Sequence, residues 1–246
     1  MDRVEYCYHA HTVRCGHAEG SEEEYVLAAI KAGIKRLGFS DHVFLPGIYQ
    51  PGVRGSYECL DEYINTIRYL KDKYKDRIDI IVGFEAEYGD SFLDYYKCLY
   101  DTKKIDYLIM GQHYLIKDRK LHLFKNLGDY VESVEKGLDT GLFKYIAHPD
   151  IFVMFHGGWD DSLEPIARRI LKKCEETHTP TEINVLGLVG RRAYPCDEFF
   201  ELAREYNVQV VVGVDAHSPS NFSKEYLKEA LQFAKKHLLE VIDFKI

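Results

Sequence analysis

The chain has 246 residues, 46% of them apolar and 13% aromatic, which suffices to bury a large core as one domain. A formal net charge of −8 excludes a general nucleic-acid binder, which needs a basic face for phosphates, but leaves room for a small anionic substrate. The charged start and the lack of any apolar run near about 18 residues read as neither signal peptide nor membrane span, so a cytoplasmic location with no membrane partner is expected.

Six cysteines, at 7, 15, 59, 98, 174 and 196, form no Cys-x-x-Cys pair and read as reduced thiols rather than a zinc knuckle or a disulfide framework. Residues 4–8 make a β-prone run, and the stretch after it places His9, His11 and His17 within nine positions. On an extended strand, side chains two apart share a face, so His9 and His11 point at one ion and His17 returns from the loop. Neutral imidazole is the commonest metal ligand and suits zinc, iron or manganese. Cys15 lies inside the cluster and is more simply a reduced thiol than a ligand.

Ser21 ahead of three glutamates caps a helix that stops at Gly33. Residues 35–41 read as the second strand, ending in Ser40-Asp41-His42. The Pro/Gly/Tyr-rich insertion 43–57 reads as a lid or binding segment, with Arg54 taken as a solvated loop arginine and an anion contact as its alternative. Over 58–75, Leu60, Ile64, Ile67, Leu70 and Tyr74 recur at helical spacing. Residues 78–84 form the continuous apolar run of a strand covered on both sides, tipped by Glu85 and Glu87. A helix over 91–101 and a strand over 106–110 lead to His113.

The loop 114–126 carries Lys117, Arg119, Lys120, His122 and Lys125 and reads as a solvated charge run rather than a phosphate contact. A helix over 127–140 ends at Gly141, and a strand over 145–147 runs into His148-Pro149. A second insertion, 151–159, holds Trp159 as a core or substrate-stacking residue. A helix over 162–176 and a strand over 181–184 lead to Arg191 and Arg192, whose planar guanidinium groups match phosphate oxygens bidentately. A helix over 196–206, a strand over 208–214 tipped by Asp215 and His217, and a helix over 222–238 complete the chain.

Seven strands, each followed by a helix without a domain-breaking linker, predict an α/β fold, one domain over residues 1–246, and a (β/α) barrel. Seven of the eleven histidines fall at or just beyond strand ends. A barrel gathers the carboxyl ends of its strands on one face, so these distant residues make one site.

In order, His9-Ala10-His11, Cys15-Gly16-His17, Ser40-Asp41-His42, Gly83-Phe84-Glu85, Gly111-Gln112-His113, Ala147-His148-Pro149-Asp150 and Asp215-Ala216-His217-Ser218 resemble the motif series of the PHP (polymerase and histidinol phosphatase) superfamily along the whole chain. The run from Cys15 to Gly20 is similar to the histidinol-phosphate phosphatase branch. The resemblance implies a distorted (β/α)7 barrel with three divalent ions, zinc, iron or manganese, at the C-terminal ends of its strands. Carried over by motif, the ligands are His9, His11, His17, His42, Glu85, His113, His148, Asp215 and His217, with Glu85 bridging two ions and Glu87 as its alternative on the same side. Gln112 and the loop after Asn184 depart from the pattern and bear on substrate contacts.

The activity implied is hydrolysis of L-histidinol phosphate, a small phosphorylated amino alcohol, by a metal-bridging hydroxide. Asp215, His217 or Asp41 would protonate the leaving alcohol, Arg191 or Arg192 would grip phosphate, Glu19 or another acid would face the amine, and Asn184 joins the substrate-binding set. Two rivals remain: a PHP-type phosphoesterase for a nucleotide, phosphotyrosine or phosphodiester, and a metal-binding barrel without turnover. Scattered surface aromatics set no oligomeric state.

Overall fold

The computed structural model describes residues 3–246. Its sheet is built from β1 (Tyr6–Cys7), β2 (Arg36–Phe39), β3 (Asp79–Ala86) and β4 (Tyr107–Met110), paired in that order, while β5 (Leu115–Lys117) and β6 (Lys120–His122) form a hairpin and β7 (Thr181–Asn184) pairs with β8 (Val210–Gly213). All pairings outside the hairpin are parallel. Single bridges from Met110 to Ile146, Ile146 to Thr181 and Ala10 to Ala216 join the two sheets, so the strands curl about a common axis. The strand expected over 145–147 is thereby reduced to the bridge at Ile146, and six parallel strands are present among the described residues rather than seven. His148, at φ 30°, and Pro149, which has no N–H to offer, end the extended stretch at once.

Helices α1 (Glu22–Ala32), α2 (Leu60–Tyr74), α3 (Leu93–Asp101), α4 (Leu127–Asp139), α5 (Phe152–His156), α6 (Glu164–Thr177), α7 (Val185–Val189), α8 (Asp197–Ala203) and α9 (Lys224–Lys236) follow the strands. The Ser21 hydroxyl accepts from the Glu24 amide while the Glu24 carboxylate accepts from the Ser21 amide, a reciprocal cap worth about 1 kcal/mol that fixes where α1 begins. On α2 the apolar positions Leu60, Ile64, Ile67 and Leu70 are buried against the strands. Among the described residues, no helix is long and apolar enough to cross a membrane.

Alternation along the strands divides the core in two. Outward-facing residues such as Ile80 and Val82 pack under the helices, while Tyr8, Ile81, Tyr107, Ile109, Tyr145, Ala147 and Val211 form a separate buried cluster inside the curl. Tyr107 is its centre: its hydroxyl donates to the carbonyls of Tyr8 and Phe39 at 2.8 and 3.0 Å. Gly38 and Gly83 admit it, since a Cβ at either would lie 2.3 or 2.5 Å from the Tyr107 side chain. This aromatic layer is the floor of the site, because Glu85 lies two and four residues past Gly83 and Ile81 on the same face of β3.

Two segments differ from their expectation as loops. Asp118 and Arg119, both at positive φ, form the two-residue turn of the β5–β6 hairpin; the Arg119 guanidinium then stacks 4.5 Å from the Phe92 ring and donates to the carbonyls of Ser91 and Pro46. The 151–159 insertion opens with α5, and Trp159 packs half-buried against the main core.

Candidate metal centre

The bridge between Ala10 and Ala216 sets the first pair of ligands. The His11 amide donates to the Ala216 carbonyl at 2.9 Å and the Ala216 amide to the His9 carbonyl at 3.2 Å, which holds His9 and His11 with their rings on one side. Asp215, at φ 53°, turns back toward them: its Oδ1 lies 3.4 Å from His9 Nε2 and 3.2 Å from His11 Nε2. Glu85 is the hub. One oxygen faces His148 Nε2 at 2.8 Å and His113 Nε2 at 3.6 Å, and the other faces His42 Nδ1 at 3.0 Å and His9 and His11 at 3.6 Å each. Gly111 leaves room for it, since a Cβ there would stand 1.9 Å from Glu85 Oε1.

His17 and His217 supply the most direct sign of a cation site. His17 Nδ1 faces the Cys15 carbonyl at 3.2 Å and His217 Nδ1 faces the Asp215 carbonyl at 3.0 Å, so both rings carry their proton on Nδ1. Their Nε2 atoms then lie 2.8 Å apart as two lone pairs pointed at each other. Donor atoms close enough to share an ion occur in the trios His17, His42 and His217; His9, His11 and Asp215; His9, Glu85 and His148; and His11, His42 and Glu85. Cys15 joins a further trio with His11 and His217. Among the described residues, His9 Nε2, both nitrogens of His11, Glu85 Oε2, and Nδ1 of His113 and His148 are buried with no partner in the protein. Imidazole with a few carboxylates is the donor set of divalent transition ions, so these residues fit such metals.

The electrostatics are set by burial against charge. Burial alone would raise Glu85 and Asp215, but the surrounding histidines outweigh it and hold both carboxyls well below the usual range. Burial, with neighbouring imidazoles, depresses His11, and burial takes His42 down to about 4, leaving neutral rings available as ligands. Glu87, two residues on, is spent elsewhere. Arg54 is only 3% exposed; it donates to both Glu87 oxygens at 2.9 and 3.3 Å, to the Val43 carbonyl and to Gln50 Oε1. The expectation of a solvated Arg54 is therefore corrected: Glu87 needs a counter-ion in the interior, and the 43–57 loop folds in to supply it.

The ligands form the base of a cavity of about 390 Å³, walled by Gly52, Val53, Tyr114, Met154, Leu186 and Tyr194. Arg192 lines it and hydrogen-bonds Tyr194 at 2.8 Å, whereas Arg191, at φ 49°, does not line it. Asp215 and His217 also line it; Asp41 does not, because both its oxygens accept from Thr12, behind His11. Burial pushes the Asp41 carboxyl up to about 7. Glu19 is exposed outside the cavity and gives its amide to the His217 carbonyl. Asn184 is fully buried: it caps α7 through the Gly187 amide and donates to Glu182 and Asp215. Sequence reasoning passed over Tyr194 and Glu182; the signal for the latter is an acid in the middle of a buried strand.

The family model for the PHP domain matches residues 8–186. A probable histidinol-phosphatase of Deinococcus radiodurans is 31% identical over 230 residues, covering 86% of this chain and 85% of that protein. The histidinol-phosphatase of Bacillus subtilis is 24% identical, with 89% and 95% covered. Among solved structures, a histidinol phosphate phosphatase from Lactococcus lactis, complexed with zinc, L-histidinol and phosphate, superposes with a TM-score of 0.76 at 19% identity, covering 97% of this chain and 95% of that one. A putative histidinol phosphatase from Listeria monocytogenes gives 0.74 at 18%, with 90% and 98% covered. Motif order, fold and similarity over most of its length agree: the chain belongs to the PHP domain family.

Proposed function

We propose that this protein is a metal-dependent phosphomonoesterase that hydrolyses L-histidinol phosphate to L-histidinol and phosphate, as part of histidine biosynthesis in the cytoplasm. The observation that carries the reading is the convergence of unpartnered imidazole nitrogens around Glu85 at the base of a cavity with Arg192 in its wall. The names of the relatives and the ligands of the Lactococcus lactis neighbour support the substrate. His9, His11, His17, His42, Glu85, His113, His148, Asp215 and His217 would hold three divalent ions, zinc, iron or manganese, with Glu85 shared. Bound there, such ions supply positive charge to phosphoryl oxygens and lower the pKa of water.

The chain's own groups do the rest. Arg192, which donates to the Tyr194 hydroxyl in the cavity wall, grips phosphate oxygens and orients the ester. Val53, Met154 and Leu186 give the cavity wall apolar surface against which the amino alcohol packs. Of the acid candidates, Asp215 and His217 line the cavity, but Asp215 is held ionised and His217 keeps its proton on Nδ1 against the Asp215 carbonyl, so the leaving alcohol takes its proton from water. The test is phosphate release by zinc-, manganese- or iron-loaded protein from histidinol phosphate, a nucleotide, phosphotyrosine and a phosphodiester. Histidinol phosphate should lead in kcat/KM by at least about two orders of magnitude; another ester in first place would remove the substrate assignment.

A further inference from the structure

We propose that Glu182 is the positioning residue that fixes the proton of His9 and thereby the geometry of the metal face. The proposal rests on the metal-centre reading and is independent of the substrate. Glu182, on β7, is fully buried, does not line the cavity, and meets three donors: His9 Nδ1, the His148 amide and Asn184 Nδ2, each at 2.9 Å. A carboxylate can only accept, so His9 carries its hydrogen on Nδ1 and presents Nε2 toward Asp215 at 3.4 Å and Glu85 at 3.6 Å. That Nε2 has no partner in the protein. The other oxygen holds the amide of His148, whose backbone sits at the rarely adopted φ of 30°. Through Asn184, which also donates to Asp215 Oδ2 at 3.2 Å, the same carboxylate braces Asp215, at φ 53°.

Three residues of the metal face, from three separate segments of the barrel, thus depend on one acid that touches no substrate. The neighbouring strand is shaped for it: a Cβ on Gly213, opposite Asn184 in β8, would lie 1.7 Å from Glu182 Oε1.

Glu182→Gln keeps the volume but offers one acceptor oxygen where three donors converge, and aims its amide at one of them. The experiment has two readouts on the full chain. Zinc affinity, measured by competition with a chelator of known affinity, should fall roughly 10- to 100-fold in Glu182→Gln. In the zinc-loaded wild type, 15N NMR of the histidine rings should show His9 protonated on Nδ1 and metal-bound at Nε2. A wild-type His9 carrying its proton on Nε2, or a Glu182→Gln variant binding zinc within twofold of wild type, overturns the role. If Glu182→Gln does not fold, the wild-type ring spectrum decides alone. A wild type that binds no zinc overturns this role and the metal-centre reading together, whereas normal zinc binding with the wrong His9 tautomer overturns this role only.

Discussion

Arg54→Met would leave Glu87 as an unpaired charge in the interior. Burial pushes that carboxyl up, but Arg54 and His113 outweigh it and hold it at about 2, from an ordinary 4.5. At about 1.4 kcal/mol per pH unit this corresponds to about 3 kcal/mol of stabilisation, within the 3–5 kcal/mol typical of breaking a buried pair from one side. Both side chains are at most 3% exposed, so solvent screening takes little away. For a chain of this size the melting temperature should fall by about 10 °C, read by circular dichroism on chelator-treated protein at pH 7. The sign with pH follows from the lowered Glu87: its contribution is complete above pH 4.5 and is lost as pH falls toward 2, so wild type and variant should converge on acidification. Arg54→Met/Glu87→Leu removes both charges and should recover most of the loss. A single variant within about 1 kcal/mol of wild type, or a double variant no better than the single, would refute the ion-pair reasoning.

Three further outcomes follow from the geometry. Gly111→Ala places a methyl 1.9 Å from Glu85 Oε1, so bound zinc per chain, measured by elemental analysis, should drop while the far-ultraviolet spectrum stays that of the fold. Arg192→Ala should raise KM for a phosphomonoester about tenfold or more and Arg191→Ala should leave it near wild type, since only Arg192 lines the cavity; equal effects would show that the loop is placed differently. Stripping divalent ions should abolish phosphatase activity and lower the melting temperature by roughly 10 °C relative to protein with zinc at a thousandfold its Kd, where linkage gives about 4 kcal/mol.

The metal face was legible because its two rules are local and topological. The alternation of a strand puts His9 and His11 on one side, and the gathering of strand ends brings residue 217 to residue 17 without knowledge of a single contact. Charge pairing in the interior was not legible. Arg54 looked like a loop cation because its segment is polar and irregular, and only the fold reveals that Glu87 stands behind Glu85 needing a guanidinium. Arg191 and Arg192 are equivalent on paper; a left-handed φ at Arg191 decides which one enters the cavity wall. The strand expected at 145–147 reads as regular from its apolar residues, yet the backbone of His148 cuts it to one bridge.

The same features explain how so polar a centre is held in place. Six of the eight unpartnered buried side-chain atoms among the described residues belong to the metal face, and each such atom costs about 1–3 kcal/mol. That burden is local. Directly beneath it, the Tyr107 layer is tightly packed, its hydroxyl proton shared between the Tyr8 and Phe39 carbonyls, and at its edges Glu182 holds His9 and Arg54 holds Glu87. His9, His17 and His217 cannot turn without breaking the outer bonds made by their Nδ1 atoms. Their lone pairs therefore stay aimed inward, where a divalent ion would meet several of them at once.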